Sequence, residues 1–137
     1  MSEAAKNILI LGAGLMQRPA ILAAKELGYR ACVVDANAQA VCVPLADTFA
    51  PIDLKDRDAL LAFAKALSES ADGLATVFTC GTDFSASVAY IAEHFGFRSH
   101  SFDACLNASD KLRMRACFTQ YGVPSPAFIE VQAGELK

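Results

Sequence analysis

The stretch Ile8-Leu9-Ile10-Leu11-Gly12-Ala13-Gly14 decides how the rest of the chain is read. Four consecutive apolar residues followed by paired glycines predict a strand buried on both faces that ends in a tight turn. After the turn, Pro19 suits the first turn of a helix, in which Ala20, Ala23, Ala24 and Leu27 recur at helical spacing before Gly28 stops it. Cys32-Val33-Val34 is a second apolar run, ending at Asp35. A strand that returns so soon after a helix is expected to lie parallel to the first.

The alternation continues outward from this unit. A third strand is predicted over 48–52, then a helix over 56–67 with Leu60, Phe63, Ala64 and Leu67 on one face, then a fourth strand over 74–78. Cys80-Gly81-Thr82-Asp83 turns the chain into a helix whose buried face is predicted to be Phe84, Val88, Ile91, Ala92 and Phe95, with Gly96 as terminator. Beyond a short polar segment, Ser109-Asp110 predicts the cap of a last helix with an apolar stripe of Met114, Cys117, Phe118 and Tyr121, closed by Gly122. Pro124-Ser125-Pro126 then forces an extended exit. Strands alternating with helices at this spacing define an α/β fold, a doubly wound parallel sheet covered on both faces. Ligands of such sheets bind outside the carboxyl ends of the strands, which makes residues 12–18, 35–37 and 80–83 the candidate site loops.

Composition narrows the function. The 137 residues suffice for one domain with a core of its own. Although 54% are hydrophobic, they fall in short blocks, none near the roughly 18 residues of a membrane span. The N-terminus is polar and the apolar run behind it is shorter than a signal-peptide core, so a cytoplasmic protein is expected. The formal charge of −3, with scattered Lys and Arg, gives no footprint for nucleic acid and favours small-molecule partners. The five cysteines form no CxxC pair, four sit in apolar or helical contexts where a thiol reads as a small core hydrophobe, and His94 and His100 stand too isolated to build a metal site with them.

Three constellations carry chemistry, each with a plain alternative. Gly12 and Gly14 match two glycines of the dinucleotide fingerprint, Gln17 stands where the third would be, and Asp35 follows about twenty residues on, as a ribose-binding acid would. The glycines let backbone N–H groups approach a phosphate or carboxylate, or serve only to connect strand and helix. Thr82 and Asp83 sit beside a strand's carboxyl end, where Asp83 can bond an amine or hydroxyl; helix capping explains both equally well. Lys111 opens a helix, where the dipole alone does not select a cation, so it is either a phosphate ligand or an ordinary solvated lysine. No catalytic triad, P-loop or acid/base carboxylate pair is present, and residues alone leave an α/β small-molecule binding domain.

Taken together, residues 8–18 (ILILGAGLMQR), 23–35 (AAKELGYRACVVD) and 108–128 (ASDKLRMRACFTQYGVPSPAF) resemble the ATP-grasp carboxylate–amine ligases and carbamoyl-phosphate-synthetase-like proteins. The resemblance implies a Rossmann-like pre-ATP-grasp domain over 1–126, with 127–137 beginning the linker into an ATP-grasp domain that lies beyond this chain. It implies ATP and Mg2+ as cofactors, with the magnesium ligands outside the chain, and phosphorylation of a carboxylate to an acylphosphate that an amine attacks. Lys111 is then the nucleotide contact, while Gly12, Gly14, Gln17, Thr82 and Asp83 border the acceptor-substrate cavity. As a fragment of a longer enzyme, the chain alone is expected to be inactive and to self-associate, and a homodimer is a further expectation. The competing expectations are a regulatory module binding NAD(H) through Gly12, Gly14 and Asp35, and an interaction domain that serves dimerisation.

Overall fold

The computed structural model describes residues 6–132 and Gly134. Strand β1 (Asn7–Leu11) is buried along its whole length. It leads through a glycine turn and a 3-10 turn at Leu15–Gln17 into α1 (Arg18–Glu26), which Pro19 opens. Gly28 ends that helix at φ +82°, a conformation costly for any residue with a Cβ. Then follow β2 (Arg30–Val34), β3 (Thr48–Ala50), α2 (Arg57–Glu69), β4 (Leu74–Phe78) and three helices, α3 (Ser85–Phe95), α4 (Phe102–Ser109) and α5 (Lys111–Gln120). The four strands form one parallel sheet in the order β3-β2-β1-β4.

Successive β1 side chains point to opposite faces, which splits the core in two. Leu9 and Leu11 pack with Val34 and Val77 against Leu60 and Ala64 of α2 and Ile91 and Ala92 of α3. Ile8 and Ile10 pack on the other face with Ala31 and Val33 against Ile21 and Ala24 of α1. The expected doubly wound parallel sheet is the fold observed. On α1 the inward residues are Ile21 and Ala24, while Ala23 and Leu27 of the expected stripe face solvent. Cys32, Cys42 and Cys105 are buried; Cys42 and Cys105 pack in apolar clusters, and the Cys32 thiol donates to Asn7 Oδ1 at 3.3 Å. Burial pushes the Cys32 thiol pKa up, against a smaller lowering by its contact with Thr48.

The expected segment after α3 differs. Residues expected to form only a polar connection fold into α4, capped by Ser101, whose hydroxyl accepts from the Ala104 N–H at 3.2 Å. Phe102, Cys105 and Leu106 pack on Ala86 and Ala89, so α3 is covered on a second face. Ser109 therefore ends α4, its hydroxyl donating to the Cys105 carbonyl at 2.8 Å, and Asp110 alone caps α5 by accepting from the N–H groups of Leu112 and Arg113. No residue of α5 is fully buried. Residues 123–132 carry no helix or strand, and Arg115 ties the exit to α5 through Ser125 Oγ at 2.6 Å and the Phe128 ring at 6.0 Å.

Candidate functional site

The strand order creates the site. From β1 the chain steps outward to β2 and β3, then returns to the opposite side of β1 as β4. The loops leaving the carboxyl ends of β1 and β4 thus diverge from a switch point, the usual ligand crevice of an open α/β sheet. They are the glycine loop at 12–17 and the loop at 79–84.

Each loop is fixed by its own chemistry. Gly12 adopts φ +105°, and a Cβ there would lie 3.0 Å from Gln17 Cδ, so backbone conformation and space both require glycine. The Gly12 N–H donates to the Val34 carbonyl at 2.8 Å, continuing the β-ladder into the turn. Gln17, 2% exposed, donates its side-chain amide to the Cys80 carbonyl. Thr79 Oγ1 donates to the Leu11 carbonyl at 2.7 Å and lies 2.8 Å from Thr82 Oγ1, which in turn accepts from the Phe84 N–H at 3.3 Å. Gly81 has φ +62°, and a Cβ on it would meet Met16 Cβ at 3.0 Å. The two loops are in direct contact.

The sequence-predicted residues divide accordingly. Gly12, Gly14, Gln17 and Thr82 belong to this joined surface, with Asp83 exposed at its edge and without an ion pair or hydrogen bond to the described residues. Asp35 is drawn in from the end of β2: one oxygen accepts from the Ala13 N–H and the other from the Asn37 N–H, each at 2.8 Å. This carboxylate clasps the glycine turn, with each oxygen keeping a further acceptor site. Lys111 is not tied to the loops. It stands exposed at the start of α5, which packs on α4 as α4 packs on α3, and its ammonium forms no ion pair or hydrogen bond with the described residues. Thr79 was missed by the sequence reading; its position one residue beyond a predicted strand was the available signal. Among the described residues no group of three or more His, Cys, Asp or Glu is arranged to hold a metal, and no helix is long and apolar enough to cross a membrane.

A doubly wound sheet with a glycine turn joined to the loop after β4 defines an open α/β domain with its crevice at the switch point. The ribonucleotide synthetase preATP-grasp domain matches residues 5–74, just over half of the chain, and the chain belongs to this preATP-grasp-like family. Among solved structures, phosphoribosylglycinamide synthetase from Anaerococcus prevotii is 29% identical with a TM-score of 0.69, over 86% of this chain and 29% of that one. N5-carboxyaminoimidazole ribonucleotide synthetase from Thermus thermophilus is 28% identical with a TM-score of 0.63, over 87% and 31%. The L-amino acid ligase from Bacillus licheniformis shares the fold at 19% identity and a TM-score of 0.72, over 95% and 34%. The chain spans about a third of the length of these structures. No curated protein matches it.

Proposed function

We propose that this domain forms the acceptor-substrate side of an ATP-dependent carboxylate–amine ligase that works through an acylphosphate. The observation that carries the reading is the junction of the glycine loop with the loop after β4 at the switch point of a preATP-grasp-like sheet. In this reading residues 1–126 are the domain and 127–137 lead toward the ATP-binding lobes. Gly12 and Gly14 leave the backbone N–H groups at the head of the 3-10 turn open to an anionic substrate group. Thr82 shapes the opposite wall, and Asp83 offers a carboxylate to an amine or hydroxyl. Lys111 places its ammonium toward the nucleotide phosphates. Two of the solved structures, at 29% and 28% identity, are a phosphoribosylglycinamide synthetase and an N5-carboxyaminoimidazole ribonucleotide synthetase, which makes a ribonucleotide the first substrate class to test.

Chemically, a carboxylate oxygen attacks the γ-phosphorus of ATP and ADP leaves; the amine then attacks the acyl carbon, and phosphate departs with the carboxylate oxygen. Positioning and charge neutralisation carry such transfers, so the task of this domain is to hold the acceptor in line. Any magnesium is held outside the described residues, and no step here depends on it. The test is ATP turnover: residues 1–137 alone should show negligible ADP release, and a protein carrying the same domain with its ATP-binding lobes should release ADP when a carboxylate is supplied. Equal rates from the two would sink the proposal. The NAD(H) reading is disfavoured by the preATP-grasp-like match, and micromolar NAD(H) binding lost in Asp35→Ala would restore it.

A further inference from the structure

We propose that Gln17 is the positioning residue of this site: it locks the glycine loop to the loop after β4 so that both move as one surface, and it does not itself touch substrate. Its side chain is almost wholly buried, and its amide nitrogen donates to the Cys80 carbonyl on the far loop. The same side chain fills the space a Cβ of Gly12 would take, with Oε1 3.3 Å from where a Cβ of Gly14 would lie. One residue thereby sets the curvature of the first loop and the height of the second. Secondary ties run in parallel, from the Cys80 thiol to the Met16 carbonyl at 3.1 Å and from Met16 to Gly81. A buried amide is costly unless its hydrogen bond is made, so the arrangement favours a single relative placement of the loops. The ligase reading determines only which ligand benefits from this placement; the lock stands on the loop geometry.

The test uses the full chain with no substrate added, so the failure of the ligase reading leaves it untouched. Amide resonances and 15N order parameters of residues 79–84 are followed between about pH 5 and pH 8 in wild type, Gln17→Glu and Gln17→Met. A carboxyl at this position has a hydrogen to donate to Cys80 only when protonated. In Gln17→Glu the Gly81 and Thr82 resonances should therefore titrate, near the wild-type positions at low pH and displaced at high pH. Wild type should stay flat. Gln17→Met keeps the shape without the donor and should show displaced resonances and lowered order parameters at both extremes, with β1 and β2 unchanged. If Gln17→Glu does not fold, Gln17→Met decides alone. Wild-type-like loop resonances and order in Gln17→Met, or a folded Gln17→Glu without titration, would overturn the proposal.

Discussion

Lys111 and Asp47 show how differently two exposed charges can behave. Lys111 opens α5, where the dipole is positive and a lysine costs a few tenths of a kcal/mol unless an anion offsets it. Lys111→Ala is expected to leave stability unchanged or slightly improved. In an enzyme that carries the ATP-binding lobes it should raise the KM for ATP by about tenfold or more, the equivalent of about 1.5–3 kcal/mol for a charge-assisted contact, and the acceptor's KM should move far less. Untouched ATP kinetics would make it an ordinary surface lysine. Asp47 instead ties β2 to α1, accepting from the Ala31 N–H at 2.8 Å and from Lys25 Nζ at 2.9 Å. Partial burial pushes its carboxyl pKa up, but the Lys25 and Ala31 hydrogen bonds and the charges of Lys25 and Arg30 outweigh this, and the net shift is downward. A folded pKa below the unfolded value of about 3.9 contributes stability that is full above that value and is lost as pH falls through the folded pKa. Asp47→Asn should cost about 0.5–1 kcal/mol at neutral pH, at the low end because Lys25 and Asp47 are partly exposed, and should flatten the acid limb. Urea melts at neutral and strongly acid pH check this; a loss equal at both would contradict it.

At the level of elements, legibility followed the length and purity of the apolar pattern. β1 was plain because Ile8 to Leu11 face two layers at once, and α2 because Asp56 caps it and Leu60 and Ala64 share a face. The helix α4 was hidden because a polar run precedes it and only Phe102, Cys105 and Leu106 carry its periodicity, too few to stand out. Missing it also left out a second covered face of α3, Ala86 and Ala89, while the expected face packs on the sheet with Ile91 and Ala92 buried and Phe84, Val88 and Phe95 partly so. The role of Gln17 was illegible for a different reason: its bond reaches residue 80, and no local pattern encodes a contact across 63 positions. Asp35 misled because the fingerprint spacing suits a clasp on the turn as well as a ribose ligand. For α5, the absence of a buried residue makes its stability local. Asp110→Ala removes the cap bonds to Leu112 and Arg113 and should cost about 1 kcal/mol, seen as faster amide exchange confined to α5. Faster exchange in β1 and β2 as well would show that α5 is integral to the core.

Across the whole molecule, the sheet order places two loops side by side and leaves the last helix peripheral. Tyr121, Val123, Phe128 and Ile129 are exposed along the end of α5 and the exit. The fold and the approximate site follow from strand periodicity and the switch-point rule. The acceptor does not, because its identity depends on a few side chains facing the crevice and on parts that occupy the other two thirds of the matching structures. In the proposed ligase role, the domain presents a carboxylate or its amine partner to an acylphosphate route. The enzyme that carries this domain with its ATP-binding lobes is supplied with ATP, a panel of 18O-carboxylates and a panel of amines, with ribonucleotides the first tested in each. ADP release should require the carboxylate, with one labelled oxygen transferred to each phosphate formed. Amide product accompanied by unlabelled phosphate, or no stimulation of ADP release by any carboxylate, would contradict it.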